Sequence, residues 1–359
     1  MAEAKSIEAL SLFFTAGAAA GTMLSGTASW VACMALLPLA ASPFFLRHKL
    51  MKAGGNAVGA VFSATFVILG LFCAFNASMI YEDGFQKLIR AAAHGAEGLR
   101  GIIRSIPFRD TGTAPLLNAL LTGDRSGLSP ATVTAFRQSG ASHILALSGL
   151  HMGIIYLLFD KLTGILGHSP AARHIRFWLI IAGAGYFTFM TGASPSIVRA
   201  FLFITINEIL RLYCKPGNAV RVLCLALLVQ LVIQPGVIST LGFQLSYLAM
   251  AGVFILYPVM EKWYPESRSP LRWIWKMAAM SVSCQAFTGP LVWLRFHTFP
   301  RYFLLANLFA LPVVTVLMTV AVATIVLQTL GICPQAAVWA TDTAARLLTW
   351  ILEVIASLN

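Results

Sequence analysis

The sequence predicts an all-α, polytopic integral membrane protein, and three observations predict it. Of 359 residues, 58% are hydrophobic and only 11% charged, and the mean hydropathy is +0.80. A soluble domain of this length needs far more polar surface. Apolar runs close to the roughly 20 residues that cross about 30 Å of hydrocarbon recur along the whole chain. Basic residues gather in alternate loops, as they do on the cytoplasmic side of membrane proteins. Together these give about ten to eleven membrane segments, several of them broken, with one amphipathic helix lying at the interface.

The charge and cysteine content exclude little else. Formal net charge is +12, from 25 Lys and Arg against 13 Asp and Glu. In a membrane protein such an excess marks loops and identifies no partner. Cys33, Cys73, Cys214, Cys224, Cys284 and Cys333 are scattered without C-x-x-C spacing. They read as small buried side chains, with neither a disulfide framework nor a metal site. No cofactor is implied.

In chain order, apolar runs fall at 9–29, 30–46 and 57–79. The first lacks a basic leader region and is read as a retained helix. Arg47, Lys49 and Lys52 separate the second run from the third, which puts the N-terminus inside and the end of the third run outside. Over 82–110, Phe85, Leu88, Ile89, Ala92, Leu99, Ile102, Ile103 and Ile106 recur at helical spacing, with Lys87, Arg90, Arg100 and Arg104 on other faces. This pattern predicts an amphipathic helix, interrupted near Gly95 and Gly98. It suits lipid headgroups or, alternatively, a basic collar for a polyanion. The chain thus divides into N-terminal helices (1–80), an amphipathic helix (81–112) and a membrane domain (113–359).

Leu121 to Leu128, with Gly123, Asp124 and Arg125, is too polar to span. Ser129 and Pro130 then form an N-cap and first-turn pair for a short helix through Gln138, closed by Gly140. Further apolar runs lie at 143–160, 177–191, 196–210, 222–234, 237–258, 275–293, 302–330 and 335–356. Lys161, Arg173 and Arg176 fall on one side, with Arg211, Lys215 and Arg221, then Lys262, Arg268, Arg272 and Lys276; Arg295 and Arg301 fall on the other. Both halves give one topology in a cytoplasmic (inner) membrane: N-terminus in, C-terminus out.

Polar residues interrupt these runs in four places. His143 to Gly153 carries His143, Ser148 and His151 where a plain span would carry Leu or Val, and Gly149 and Gly153 make a G-x-x-x-G step that admits a close backbone. Thr191 to Ser196 breaks the next stretch, and Ser194 with Pro195 starts a helix whose N–H groups face any anion, with Ser196 and Arg199 in its first turns. Pro235-Gly236 precedes Gln244 and Ser246; Arg295 to Pro300, including His297, leads into Asn307, with Pro312 inside the last long run but one. Each break can be a packing kink whose freed groups neighbours satisfy. Four together favour a polar, discontinuous pathway.

The stretches Gly123-Asp124-Arg125-Ser126-Gly127-Leu128-Ser129, His143 to Gly153, Thr191 to Ala200, Gly242-Phe243-Gln244-Leu245-Ser246 and Ala306 to Pro312 resemble the competence domain of the ComEC family, in that family's order. The Gly-Leu-His and Thr-Gly-Ala-Ser blocks are the specific part. The resemblance implies a membrane channel passing single-stranded DNA inward during natural transformation, with membrane lipid around it and a separate nuclease, DNA receptor and ATP-driven motor beside it. It makes 113–359 the competence channel domain. Family members commonly carry an OB-like insert, and many end in a metallo-β-lactamase-like nuclease domain; neither is read here, and the seven histidines form no His-x-His-x-Asp-His cluster.

Three functions compete. In a DNA channel, His143, His151, Arg199, Gln244 and Asn307 would line the path, Arg199 and the Ser194 helix start would meet phosphates, and power would come from a partner, because no G-x-x-x-x-G-K-[ST] motif exists. A secondary transporter of a small anion would use the same breaks, with only Glu208 and Asp160 read as acids near spans. An intramembrane hydrolase on Ser148 and His151 lacks a neighbouring acid and a nucleophile turn, so no catalytic residue is assigned.

Overall fold

A computed structural model of the chain describes residues 2–23, 63–74, 82–167, 169–213, 218–264, 270–297 and 301–358. The run at 30–46, the basic loop at Arg47, Lys49 and Lys52, and the ends of the 57–79 run lie outside them. The described elements are α1 (Ala2–Met23), α2 (Ser63–Ala74), α3 (Glu82–Ser105), α4 (Thr113–Thr122), α5 (Pro130–Gln138), α6 (Ser142–Leu145), α7 (Gly149–Gly164) and α8 (Pro170–Met190). They continue with α9 (Pro195–Tyr213), α10 (Ala219–Ile233), a 3-10 turn (Pro235–Ser239), α11 (Leu241–Ile255), α12 (Tyr257–Glu261), α13 (Pro270–Phe296), α14 (Phe303–Thr329) and α15 (Gln335–Ala356). No strand occurs among the described residues. The protein is an all-α membrane protein.

Among the described residues, three helical stretches are long and apolar enough to cross a membrane: Leu241–Glu261, Leu271–Phe296 and Phe303–Thr329, of 21, 26 and 27 residues. At 1.5 Å per residue even the shortest reaches roughly 30 Å. Pro290 and Pro312 sit inside α13 and α14 without ending them. Membrane helices tolerate this because neighbouring groups take over the lost backbone bond. Pro312 thus sits inside one long helix, as the sequence places it inside one long apolar run.

The chain forms two compact units. The first comprises Met1–Leu88, Ser169–Phe177 and Val198–Gln244. Here α1 meets α2 through glycines: a Cβ on Gly17 would collide with the Val67 backbone, and one on Gly70 with the Phe14 carbonyl. Removing Cβ lets the two backbones touch, so dispersion along both helices replaces side-chain interdigitation. Helix α1 also packs on α10 and on the 3-10 turn, burying Phe14, Ala18, Ala226 and Leu231. Glu208, buried on α9, pairs with Arg211 one turn on at 3.1 Å.

The second unit comprises Ile89–His168, Trp178–Ile197 and Leu245–Asn359. Its core joins α4, α5, α14 and α15. Ala306, Ala310, Val314, Leu317 and Ala321, at three- and four-residue steps, give α14 one buried stripe. Ala345, Leu348 and Leu352 answer from α15, and the hydroxyls of Thr324 and Thr341 bridge the two at 3.0 Å. Helix α3 is amphipathic as its pattern predicts, but it runs unbroken through Gly95 and Gly98, where an interruption was expected. Its apolar side is covered by protein at Ala92, Ala96 and Ile103, with Ile106 just beyond, while Arg90 and Arg104 stay exposed. Helix α5 matches the sequence reading closely: Ser129 Oγ accepts from the Thr132 N–H at 3.0 Å, Pro130 opens the first turn, and Gly140 follows in the left-handed region.

Candidate functional site

The breaks in the apolar runs position the polar side chains. The run opening at His143 is not one helix. Helix α6, which holds His143, stops at Leu145; Ala146 and Ser148 are extended, and α7 begins at Gly149. Ser148 Oγ accepts from the Leu150 N–H at 3.3 Å and lies 3.1 Å from His151 Nδ1, to which the Ser148 N–H donates at 3.3 Å. This is a capping box in which histidine takes the place usually held by Glu or Gln. Because Nδ1 accepts, the proton of the neutral ring sits on Nε2. That atom is buried and has no hydrogen-bond partner among the described residues. Ser148 and His151 thus act on helix geometry, a role the serine–histidine spacing alone did not reveal. The G-x-x-x-G expectation fails at Gly153, where a Cβ would meet no described atom within 4 Å.

The turn before α5 holds this break from below in sequence. The Leu145 carbonyl, left without a helical partner when α6 stops, accepts from Arg125 Nη2 at 2.9 Å. Gly123 takes a φ of +79°, and a Cβ there would sit 2.7 Å from Leu147 Cδ1. Asp124 Oδ1 accepts from the Ser126 hydroxyl at 2.7 Å and its N–H at 3.0 Å, and Oδ2 meets Arg100 Nε at 3.4 Å. The Ser126 hydrogen bonds, with Arg100 adding, hold the Asp124 carboxyl below the usual carboxylate range.

At the second break, Thr191 closes α8 by donating its hydroxyl to the Phe187 carbonyl at 2.8 Å. Gly192 and Ala193 then both take positive φ, +79° and +49°. For alanine that conformation costs about 1 kcal/mol. Pro195 starts α9 as the Ser-Pro pair predicts, with its fixed φ suited to a first turn. The Ser194 hydroxyl oxygen is buried with no partner among the described residues. Ser196 is half-buried and Arg199 is buried, at 8% exposure.

At the third break, Gln244 Nε2 donates to the Ile238 carbonyl at 2.9 Å, so this amide holds the 3-10 turn against the start of α11. Ser246 is buried two residues on. At the fourth, His297 is exposed with φ +51° and lies edge-to-face with Trp293, ring centroids 6.2 Å apart. Residues 298–300 lie outside the described set. Asn307, in the second turn of α14, has its side-chain oxygen buried with no partner among the described residues. Arg199 and Gln244 belong to the first unit; the other predicted site residues belong to the second.

Residues 120–359 match the family model described as Competence protein. The chain belongs to the competence protein family. Every predicted site residue, from Gly123 to Asn307, falls inside the matched span. This competence-family chain is 25% identical over 200 residues to ComE operon protein 3 of Bacillus subtilis, covering 56% of the chain and 24% of that relative. It is 25% identical over 218 residues to Recombination protein 2 of Haemophilus influenzae, covering 56% and 27%. Over 244 residues it is 25% identical to the uncharacterized protein YcaI of Escherichia coli, covering 64% and 32%. The chain therefore spans about a quarter to a third of these relatives' lengths. No solved structure matches it.

Gln285 and Asp342 are among the polar residues of the competence-family chain that escaped the sequence reading. Gln285 on α13 has its amide nitrogen buried without a partner among the described residues. Asp342 on α15 is fully buried, which corrects the reading that Glu208 and Asp160 are the only acids near spans. The signal was present: Asp342 is one of two acids, with Glu353, inside the 335–356 run. Among the described residues, no three His, Cys, Asp or Glu side chains gather as a metal centre.

Proposed function

We propose that this competence-family chain is the membrane passage through which single-stranded DNA enters the cytoplasm in natural transformation. One observation carries the reading. His151 Nε2, Ser194 Oγ and Asn307 Oδ1 are buried polar atoms without partners among the described residues, and all three stand on the family-like motifs of one unit. A buried polar group left in this state costs roughly 1–3 kcal/mol. Three such costs on motif residues are accounted for if a polar cargo or its water passes there. Arg199 and the α9 start supply positive charge for phosphates, and backbone contact makes passage indifferent to base sequence. The inner membrane is the setting, with the N-terminus inside, the C-terminus outside and 113–359 as the channel domain. A separate DNA receptor and nuclease would deliver the strand, and an ATP-driven motor would pull it.

The test is transformation frequency in the source organism after deletion of the gene and its restoration as wild type, Arg199→Ala or Asn307→Leu. Loss on deletion, rescue by wild type, and failure of normally expressed variants are expected. Unchanged transformation of the deleted strain, shown to be competent and to hold no second family member, would overturn the reading.

A further inference from the structure

A second polar cluster lies away from the helix breaks, where the linker between α3 and α4 meets α5 and α15. We propose that it binds a hard divalent cation of the Mg²⁺ type, held with part of its water shell. The site is a cavity of about 190 Å³ lined by Asp110, Thr113, Thr132, Thr349 and Glu353, among others. All of these residues belong to the second unit.

One buried atom of the lining points to a ligand, and a second orphaned oxygen lies nearby on α15. Thr113 is fully buried, lines the cavity, and its Oγ1 has no partner among the described residues. Asp342, also fully buried, does not itself line the cavity but stands one turn before the cavity-lining Ala345 on α15. Its Oδ2 accepts from the Arg109 N–H at 2.7 Å, whereas Oδ1 is buried with no partner among the described residues. Around them, Asp110, Asp342 and Glu353 form no ion pair with any described cation; the nearest in sequence, Arg109 and Arg346, are exposed. The cavity thus offers oxygen donors only and an excess of negative charge.

The donor set selects the class of ion. Oxygen ligands suit hard cations, and the site has no thiolate or imidazole to favour zinc or copper. Only two carboxylates, Asp110 and Glu353, line the cavity, too few to encage a dehydrated ion. Mg²⁺ keeps several waters and is commonly held by one or two carboxylates. The cavity has room for those waters at about 30 Å³ each. Threonine hydroxyls at 113, 132 and 349 would receive them. Bound there, the ion would neutralise the cluster and fasten the 109–113 linker to α15, whatever passes through the membrane domain.

The test uses the full chain, purified and stripped with a chelator. Mn²⁺ binding is followed by electron paramagnetic resonance with Mg²⁺ as competitor, and the thermal unfolding midpoint is compared in MgCl₂ and in KCl of equal ionic strength. Expected are one Mn²⁺ per chain, displaced by Mg²⁺, and a saturable rise in midpoint with Mg²⁺ alone. The double variant Asp110→Asn/Glu353→Gln should lose at least about tenfold in affinity. Thr113→Val removes the unsatisfied hydroxyl: without the ion its midpoint should equal or exceed wild type, and with Mg²⁺ its gain should shrink. If the double variant fails to fold, Thr113→Val decides. No saturable Mn²⁺ binding by wild type, or equal binding and equal gain in the variants, would overturn the proposal.

Discussion

Arg125 offers a direct test of what holds the first helix break in place. Its guanidinium donates to the Leu145 carbonyl at 2.9 Å, across twenty residues of sequence. That carbonyl belongs to a buried residue at the end of a four-residue helix. Arg125→Ala leaves it without its donor. Hydrogen bonds to charged groups contribute roughly 1.5–3 kcal/mol, and the exposure of Arg125 argues for the low end, about 1.5 kcal/mol. Since about 1.4 kcal/mol is a factor of ten, local opening around residues 146–152 should become roughly tenfold more frequent. Hydrogen–deuterium exchange on the purified protein in detergent reads this as faster exchange of those amides, with α14 and α15 unchanged. Arg125→Lys should fall between, because an ammonium keeps the charge but not the planar donor. Exchange at 146–152 identical to wild type in Arg125→Ala would show that packing alone fixes the break.

Ser148→Ala removes the cap of α7 and should cost about 1 kcal/mol, with Ser148→Thr nearly neutral, measured by exchange of the α7 first-turn amides. Gly123→Val meets both a left-handed φ and Leu147, so its yield of monodisperse protein should collapse; Gly192→Ala, with no atom within 4 Å, should lose far less. Asp124 is held below its ordinary value of about 3.9, so its contribution is complete above that pH and is lost as pH falls through the lowered folded value. Wild-type stability, followed by circular dichroism, should therefore fall as pH drops through the lowered Asp124 value, and Asp124→Asn, which cannot titrate, should lack that part of the fall. An unchanged acid profile in Asp124→Asn would refute the role of the Ser126 hydrogen bonds.

What was legible in the sequence was local. Ser129-Pro130, Ser194-Pro195 and Pro235-Gly236 announce a helix start or a turn through chemistry confined to adjacent residues, and each is found where expected. The polar residues of the apolar runs were equally visible, because a lone His or Asn stands out against Leu and Val. The gap between α6 and α7 was not, since Ala146 and Leu147 are apolar and no proline or glycine precedes them. It depends on the Ser148–His151 cap and on Arg125, contacts that no periodicity encodes. The reverse error occurred at Gly153, which carries the local signal of a close-packing glycine and where a Cβ would meet no described atom within 4 Å. Asp342 hid for a related reason. Two acids eleven residues apart average away in the hydropathy of a long apolar run, and the partner of Asp342 lies on a linker 233 residues earlier.

The seam between α14 and α15 also carries information about time. Thr341 has its partner hydroxyl on Thr324, and Asp342 its backbone donor at Arg109. Both partners leave the ribosome before α15 does. Until they stand in place, the last helix has nowhere to set its buried carboxylate. Among the described elements of the second unit, α15 is therefore one whose seating waits on partners made earlier. Without α15, the α14 stripe of Ala310, Val314 and Leu317 would lose the helix that packs most closely along it.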